Sequence, residues 1–419
     1  MPTSLKENQN GLTLIELLIA MLIGTLLILG ATSMFIANKR VYKEVDFQGR
    51  LAENARFGME MMVRDLRMAG FIGCAVQQDV ENRLDVLDGG KQDPTKLLSF
   101  ITKNSDDCRT KSLTDADCDQ ANAIEGLEQG STEWSPSKST DPTDAGLTLE
   151  TQSDAFTVRF MEDTNANLCT DMSTSSSNLV VSGQSSNITI GSSVFFEGGL
   201  YAAGDCEATN IFQLTDNAAS APFTLKHDAT GTPGNDSGDL SKIYTMGSSG
   251  ACVSPSAASP VDIFIFRARR YFIASEATID DGRPALYRQT FDIPNDSDVP
   301  TVHSERLIDG VENMQVLYGE DINTAADPLD RVADIYSKAT DVTDWSNVVS
   351  VKIALLFSTI EQDFSGPIDT KNDYQLLDEA AFDPTPDTAG CASPCRPPDH
   401  RRRKILEATV SLRNRQLSF

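Results

Sequence analysis

The sequence predicts an α+β fold in which the back half of one long amino-terminal helix packs on an antiparallel β-sheet domain with long loops. Three observations predict it. An apolar run near the amino terminus continues without proline into a stretch with apolar residues at spacings of three and four. Beyond Gly70 the apolar residues instead alternate with polar ones, as in half-buried strands. A helix followed by antiparallel strands is typical of the α+β class.

The front half of this helix is predicted to span a membrane. Residues 17–37 are 21 residues without charge, enough to cross the roughly 30 Å core of a bilayer. The apolar core of a secretory signal peptide is the alternative, but that region usually has about 7 to 15 residues. Glu16, just before the run, is the single charged residue in the stretch "NGLTLIELLIA". A carboxylate is costly to place in hydrocarbon, so it needs a reason to be there.

The back half, residues 38–70, is predicted to be amphipathic. No proline occurs between Pro2 and Pro94, so a helix from about Thr13 to Ala69 would be about 85 Å long. We expect the back half to pack on a globular domain while the front half protrudes. The predicted apolar stripe consists of Val41, Val45, Ala52, Ala55, Met59, Met62, Leu66 and Ala69.

Four later stretches are predicted strands. Residues 261–274 are apolar on both faces at their start, which indicates a central strand with one side under the helix. The other three alternate, with one apolar face each, formed by Phe156, Val158 and Phe160, by Val349, Val351, Ile353, Leu355 and Phe357, and by Ala408, Val410 and Leu412. Polar stretches at 128–148, 170–190 and 225–260 predict long loops or an inserted subdomain within about 80–260.

Charge and cysteine content narrow the function. With 61 acidic and 35 basic residues the net charge is -26, which argues against nucleic-acid binding by the surface as a whole. Eight cysteines without CxxC spacing indicate disulfides rather than zinc, and therefore an oxidising compartment. Proximity along the chain favours the pairs Cys108 with Cys118, Cys169 with Cys206 and Cys391 with Cys395, which leaves Cys74 to pair with Cys252.

The two topological signals disagree. Lys6 precedes the apolar run, whereas Lys39, Arg40 and Lys43 follow it. Basic residues alone would place the large domain in the cytoplasm. The cysteines indicate the opposite orientation, and we expect the domain to lie outside the cytoplasm.

The sequence does not predict an enzyme or a cofactor. His227, His303 and His400 lie in polar contexts without HExxH spacing, and neither a GxSxG motif nor a Walker loop occurs. Surface histidines are therefore expected. The basic run 401–404 could contact anionic lipid, DNA or an acidic partner, but a solvated strand entry beside acidic loops is the preferred interpretation.

No metal site is predicted either. Asp115, Asp117 and Asp119 have the opening spacing of a calcium loop. However, Gln120 occupies its glycine position and Gly126 the position of its bidentate glutamate. These two departures argue against calcium binding.

The stretch from Gly11 to Glu16 resembles the processing site of type IV prepilins and type II secretion pseudopilins. In those families a prepilin peptidase cuts after the glycine and methylates the new amino terminus. The resemblance implies a leader peptide of residues 1–11, cleavage between Gly11 and Leu12, methylation of Leu12 and a glutamate, Glu16, at the fifth mature position. Leu12 stands where the families usually have phenylalanine.

Three further stretches resemble the PilW family of minor pilins: "MVRDLRMAGFIGCA", "RLIDGVENMQVLYGED" and "ATVSLRN". The resemblance implies a pilin-like fold and a low-abundance subunit that primes pilus assembly at the tip. Its partners would be prepilin peptidase, other minor pilins and the major pilin through the helix, and a tip adhesin. It would lie in the inner membrane, with residues 71–419 in the periplasm, and later in the pilus. A type II secretion pseudopilin and a signal-anchored extracytoplasmic enzyme or adhesin are the alternatives.

The cost of Glu16 has a physical explanation in this context. A processed chain begins with a cationic amine at Leu12, and amine and carboxylate would both lie in lipid or in a dry filament core. Each charge is costly alone and tolerable when paired. We therefore expect Glu16 to pair with the amine of a neighbouring subunit and to set its register. The alternative is an acid that extends to the membrane surface.

Overall fold

The long helix predicted at the amino terminus is α1 (Leu14–Met68). It belongs to a computed structural model that describes residues 13–74, 80–82, 123–129, 134–135, 146–182, 195–218, 222–230, 234–235, 237–246, 261–279, 282–292, 301–322, 330–362, 374–377 and 399–415. The helix has 55 residues, a length of about 82 Å at 1.5 Å per residue. Gly70 follows its last turn with a positive φ of 74°, a conformation that glycine adopts without steric cost.

The two halves of α1 differ in what covers them. No residue of the helix before Phe47 is buried, and the apolar side chains there are exposed to solvent. From Phe47 onward one face is buried, formed by Phe47, Leu51, Ala55, Gly58, Met59, Met62, Asp65 and Leu66. The predicted protrusion of the front half and packing of the back half are both confirmed.

The predicted apolar stripe is right in its second part and wrong in its first. The confirmed members are Ala55, Met59, Met62, Leu66 and Ala69. Val41 and Val45 are 63% and 64% exposed, and Ala52 is exposed as well. Phe47 and Leu51 are buried instead, because spacings of four continue their row into the covered part of the helix. The stripe therefore begins where the domain begins to cover the helix.

Sixteen strands lie in the described part of the chain, together with 3-10 turns at Trp345–Asn347 and Arg413–Arg415. The strands are β1 (Val80–Asn82), β2 (Ile124–Gln129), β3 (Trp134–Ser135), β4 (Leu147–Leu149), β5 (Ala155–Asn167), β6 (Leu179–Val181), β7 (Leu200–Gly204), β8 (Thr209–Gln213), β9 (Phe223–Leu225), β10 (Asp262–Glu276), β11 (Pro284–Asp292), β12 (Thr301–Asp309), β13 (Val311–Glu320), β14 (Ile335–Ser337), β15 (Val348–Ser358) and β16 (Arg403–Ser411). Helix followed by mostly antiparallel strands is the predicted α+β class.

β10 is the central strand of the first sheet, as its two apolar faces predict. Its first half pairs with β5 on one side and β7 on the other, and its second half pairs with β11. The main order is β1-β8-β7-β10-β5-β2-β3, while β12 extends β11 and β4 pairs with the end of β10. Only β1 and β8 pair in parallel among these strands. β10 therefore has different neighbours along its length, and it connects the strands that pair with its first half to those that pair with its second half.

The second sheet has the order β14-β13-β15-β16 and is antiparallel. β12 of the first sheet leads into β13 of the second through a tight turn at Gly310, whose φ is +76°. A Cβ at this position would lie 2.5 Å from the carbonyl oxygen of Ser358, so only glycine fits. β16 alternates as predicted: Val410 is buried and Thr409 and Ser411 are exposed. β16 is an edge strand, which explains why its outward face is polar.

Two of the strands predicted to be half-buried are buried on both faces. In β5 the polar residues Thr157 and Arg159 are as buried as their apolar neighbours. Arg159 pairs with the equally buried Glu125 of β2 at 2.8 Å. In β15 the second face, including Ala354 and Leu356, is also buried. Alternation was misleading in β5 because a buried ion pair allows a charge to face a core.

The apolar residues form separate cores. The largest combines the back half of α1 with parts of both sheets, and Met62, Leu66 and Phe156 lie at its centre. A second core comprises residues between 166 and 265, among them Phe195 and Tyr244. Short strands β6 and β9 belong to it, so the polar stretches around them carry structure rather than loops alone.

Candidate functional site

The amino-terminal motif is described from Thr13 onward, and the predicted processing residues Gly11 and Leu12 lie outside the described residues. Thr13 is the N-cap of α1. Its side-chain hydroxyl accepts a hydrogen bond from the Glu16 backbone N–H at 3.3 Å. In return the backbone N–H and the hydroxyl of Thr13 both donate to Oε2 of Glu16, each at 3.0 Å. Together these bonds form a capping box.

The capping box gives Glu16 a local role that sequence reasoning missed. The signal was present, because Thr13 and Glu16 have the T-x-x-E spacing of this motif. A carboxylate at the start of a helix also interacts favourably with the helix dipole. The side chain is exposed and bonded back toward the amino terminus. Whether it pairs with a neighbouring amine stays a prediction.

An uncovered apolar surface flanks Glu16 and continues along the front half of α1. Leu14 is 77% exposed and Met34 71%. The other large apolar side chains on this part of the helix, each at least 46% exposed, are Ile15, Leu17, Leu18, Ile19, Met21, Leu22, Ile23, Leu26, Leu27, Ile28, Leu29, Phe35 and Ile36. By length and composition this helix is able to cross a membrane.

A buried acid fixes the back half of α1 to the domain. Asp65, on the covered face, accepts hydrogen bonds at 2.5 Å from Arg269 and from the Tyr271 hydroxyl, both on β10. Burial, and then the Asp65 carboxylate, raise the pKa of Tyr271, so its hydroxyl stays protonated and donates. Asp65 is only 4% exposed in its side chain. Two donors from one strand compensate the burial of this charge.

Most of the basic run 401–404 forms ion pairs and hydrogen bonds within the chain. The predicted solvated strand entry is therefore wrong for most of it. Arg403 is 1% exposed and pairs with Glu312 at 2.6 Å and with Asp399 at 2.9 Å. Arg401 is buried and donates to backbone carbonyls, including that of Thr359. Arg402, outside this network, pairs with Glu44 of α1 at 3.1 Å. Internal acids therefore neutralise the arginines of the run, whereas Lys404 is exposed.

The carboxyl-terminal end of the chain caps the helix. Asn414 donates from its side-chain amide to the backbone carbonyls of Arg67, Met68 and Ala69, at 3.2 to 3.3 Å. These carbonyls have no partner within the helix itself. Asp65 and Asn414 belong to two of the stretches that resemble minor pilins, and Glu312 belongs to the third. These stretches therefore join the helix to the first sheet through Asp65 and to the end of β16 through Asn414, while Glu312 holds the edge strand β16 of the second sheet.

The three histidines lie in different surroundings. His303 is exposed and His400 half-buried, but His227 is buried, which corrects the prediction of a surface histidine. The His227 ring packs on Phe212, and Nε2 lies 3.1 Å from the Ser177 carbonyl oxygen. Burial lowers the pKa of the His227 imidazole. The polar sequence around His227 gave a wrong prediction because the surrounding stretch folds around its own core.

Metal binding finds no site in the described ranges. No group of three histidine, cysteine, aspartate or glutamate side chains is placed there to hold an ion. Asp115, Asp117 and Asp119 lie outside the described residues.

A disulfide ties the end of α1 to the turn between β7 and β8. Cys74 and Cys206 are bonded, with Cα atoms 4.8 Å apart. The predicted pairs Cys74 with Cys252 and Cys169 with Cys206 are therefore both wrong. Cys169 is also disulfide-bonded, and none of the cysteines in the described ranges is free. Cys108, Cys118, Cys252, Cys391 and Cys395 lie outside those ranges.

The pairing errors have a physical cause. Closeness along the chain was the only criterion, whereas 132 residues separate Cys74 from its partner. The first sheet brings them together: Phe71 packs edge-on against Phe264 of β10. The β7 strand next to β10 then places its turn beside the segment after the helix.

Comparison with known proteins agrees with the motifs. The family model described as "Type IV Pilus-assembly protein W", PilW, matches residues 270–414. The model described as "Prokaryotic N-terminal methylation motif" matches residues 6–32. Neither the curated proteins nor the solved structures gave a match. The chain is therefore PilW-like over residues 270–414 and has a prepilin-type cleavage and methylation motif at its amino terminus.

Proposed function

We propose that this type IV pilin-type protein is a minor subunit that acts with other minor pilins to prime pilus assembly and to form the tip complex. Prepilin peptidase cuts it after Gly11 and methylates Leu12. The observation that carries the proposal is the bare front half of α1, joined to a domain that matches PilW over residues 270–414. The role is structural, through packing of helices rather than catalysis.

The exposed apolar surface of the front half of α1 fits a protein that moves from one apolar environment to another. Exposed apolar patches of this size mark membrane or protein contacts. Burial of apolar area stabilises by roughly 25 cal/mol per Å², so this surface requires either lipid or other helices around it. A pilin meets both requirements in sequence, first in the inner membrane and then in the filament core with the major pilin.

Each segment then has a separate task. The leader of residues 1–11 is removed, residues 12–37 lie in the membrane and later in the filament, and residues 38–70 bind the domain. We propose that residues 71–419 form a periplasmic domain, with the part from about 80 to 260 inserted into it. The oxidised state of the described cysteines supports the location outside the cytoplasm. At the tip, this domain would be the part that contacts a tip adhesin.

Glu16 is proposed to pair with the amine of a neighbouring subunit. The capping box directs its carboxylate back toward the amino terminus, where the new amine of a cut chain begins one residue before Thr13. That geometry presents the acid at the end of the helix. Two unlike charges in a dry core are tolerable together and costly apart.

The test separates the charge of Glu16 from its capping role. Glu16→Ala and Glu16→Gln are expressed in a strain that lacks the gene, together with Thr13→Ala, which removes the cap and keeps the charge. All three should be cut and inserted, as shown by mass spectrometry of the membrane fraction. Only the Glu16 variants should lose surface pili, because a lost cap costs about 1 kcal/mol, whereas an unpaired buried charge costs about 3 to 5 kcal/mol.

Two outcomes would contradict the proposal. Normal pilus numbers with Glu16→Ala would show that the acid is a bystander. Equal loss with Thr13→Ala would assign its importance to helix capping. The deletion strain itself should lack pili and retain type II secretion; the reverse result would identify a pseudopilin.

A further inference from the structure

A second surface of α1, just beyond its apolar run, is rich in cations. Lys39, Arg40 and Lys43 follow Ala37 within two helical turns, and all three are exposed. Tyr42 lies among them and is 75% exposed. We call these four residues, 39, 40, 42 and 43, the cationic collar. Their cluster is unusual in a chain whose net charge is -26.

The collar is not neutralised by the chain itself in the described residues. The nearest acids are bonded elsewhere: Glu44 pairs with Arg402 at 3.1 Å, and Asp46 pairs with Arg50 at 3.1 Å. Within the described ranges none of the three collar cations forms an ion pair. Their charges therefore remain available to a partner.

The domain meets the helix next to the collar. Glu44 and Arg402 join the start of β16 to the helix one residue beyond the collar. Lys404, two residues further along β16, is exposed. The exposed acid Glu361 lies at the same end of the domain, near the start of the covered helix face.

We propose that the cationic collar binds the anionic headgroups of the bilayer in which residues 17–37 lie. The collar begins two residues after that run, which places it at the level of the headgroups when the run fills the hydrocarbon. Tyrosine is enriched at this depth because its ring is apolar and its hydroxyl is polar. Lysine and arginine near an anionic membrane surface are attracted to it, and the attraction falls with salt. The collar thus sets the depth of the helix and offsets repulsion between lipid and the acidic domain.

This inference concerns the membrane stage and does not depend on the role proposed in assembly. The experiment uses the full chain reconstituted in vesicles of phosphatidylcholine with a minor fraction of phosphatidylglycerol. Spin-labelled versions of both lipids report which one associates with the protein. The native chain should prefer phosphatidylglycerol by at least about fivefold, the effect of one cation near an anionic surface, and lose most of that preference at about 0.5 M salt.

Two matched variants test whether the lipid preference comes from the collar or from cations elsewhere on the helix. The triple variant Lys39→Gln, Arg40→Gln, Lys43→Gln should reduce the preference to near one. The control changes Arg56, Arg64 and Arg67 to glutamine; these are exposed cations on the same helix, starting about 20 Å further along it. The control should keep the preference of the native chain.

Three results would overturn the inference. The first is the absence of a preference at low salt in a chain that is inserted. The second is an equal loss in the control. The third is an unchanged preference in the triple variant while pili disappear from cells, which would assign the collar to an acidic surface on another subunit. No pili are present in the vesicles, so failure of the assembly proposal leaves this measurement intact.

Discussion

The front and back halves of α1 share one helical geometry and differ in what covers them. Before Phe47 the apolar side chains are bare, whereas from Phe47 one face is buried against two sheets. The end of the back half is also fixed by the hydrogen bonds of Asp65 and Asn414 and by a disulfide in the segment that follows it. The same chain therefore contains a helix segment that its own domain stabilises and one that requires an external partner.

The number of apolar residues in a helix and their arrangement around it therefore indicate different properties. A helix that is apolar all round must be surrounded, and among the described residues no second element covers the front half. A helix with one stripe needs one sheet, which follows later in the sequence. Substitutions of the same type should therefore have different consequences in the two halves. Four sets of variants should reveal this difference.

Loss of the disulfide at the end of the back half should have the largest effect. The double variant Cys74→Ser, Cys206→Ser removes a link that closes 132 residues and should lower the free energy of unfolding by about 4 kcal/mol. Thermal unfolding of the full chain in detergent measures it. Each single variant should cost as much as the double one, because either change breaks the bond; additive costs would contradict the pairing.

Met62→Ala should come second. Met62 is fully buried in the back half, and its truncation should cost about 3 kcal/mol through lost contacts and a cavity. Met34→Ala, at a position 71% exposed in the front half, is the matched control and should leave the thermal midpoint of the domain unchanged. Equal shifts for the two variants would erase the distinction between the halves.

Asp65→Asn should destabilise by about 2 kcal/mol, because an amide weakens two charge-assisted bonds in a buried place. Its control is Asp46→Asn on the same helix. Asp46 pairs with Arg50, but the two side chains are 44% and 66% exposed, and such surface pairs contribute about 0.5 kcal/mol or less. Thermal unfolding of the full chain compares them. A cost for Asp46→Asn as large as that for Asp65→Asn would show that burial does not decide the difference.

Asn414→Ala should have the smallest effect, about 1 kcal/mol, because it removes the side chain that caps three helix carbonyls. Hydrogen exchange should show faster opening of the last turn of α1 and no change in the front half. A uniform change along the whole helix would indicate that the two halves unfold together.

The sequence predicted much of the fold through local patterns. The helix ends were predicted because no proline interrupts the stretch and because the apolar spacing changes after Gly70, and both are local signals. β10 was found as a central strand because its first residues are apolar on both faces. β5 was judged half-buried because Arg159 alternates with apolar residues, and only its buried partner Glu125 explains its place in a core.

The candidate site divides in the same way. Glu16 and the apolar run were visible in the sequence, since a charge in such a run is itself the signal. The capping role of Glu16 was also visible, as T-x-x-E, and was missed. The link between Asp65 and two donors on β10 was not visible, because more than 200 residues separate them.

Local sequence patterns were sufficient to predict which residues form the helix, that its front half needs lipid or other helices, and that later segments are strands. These properties follow from dihedral preferences and from the spacing of apolar residues, which act over a few positions. Tertiary contacts set where the covered face begins, that Cys74 meets Cys206, and that Arg402 and Arg403 of the basic run are neutralised by Glu44, Glu312 and Asp399. Such contacts depend on which distant strands become neighbours, and a pattern of period two gives the face of a residue without naming its partner.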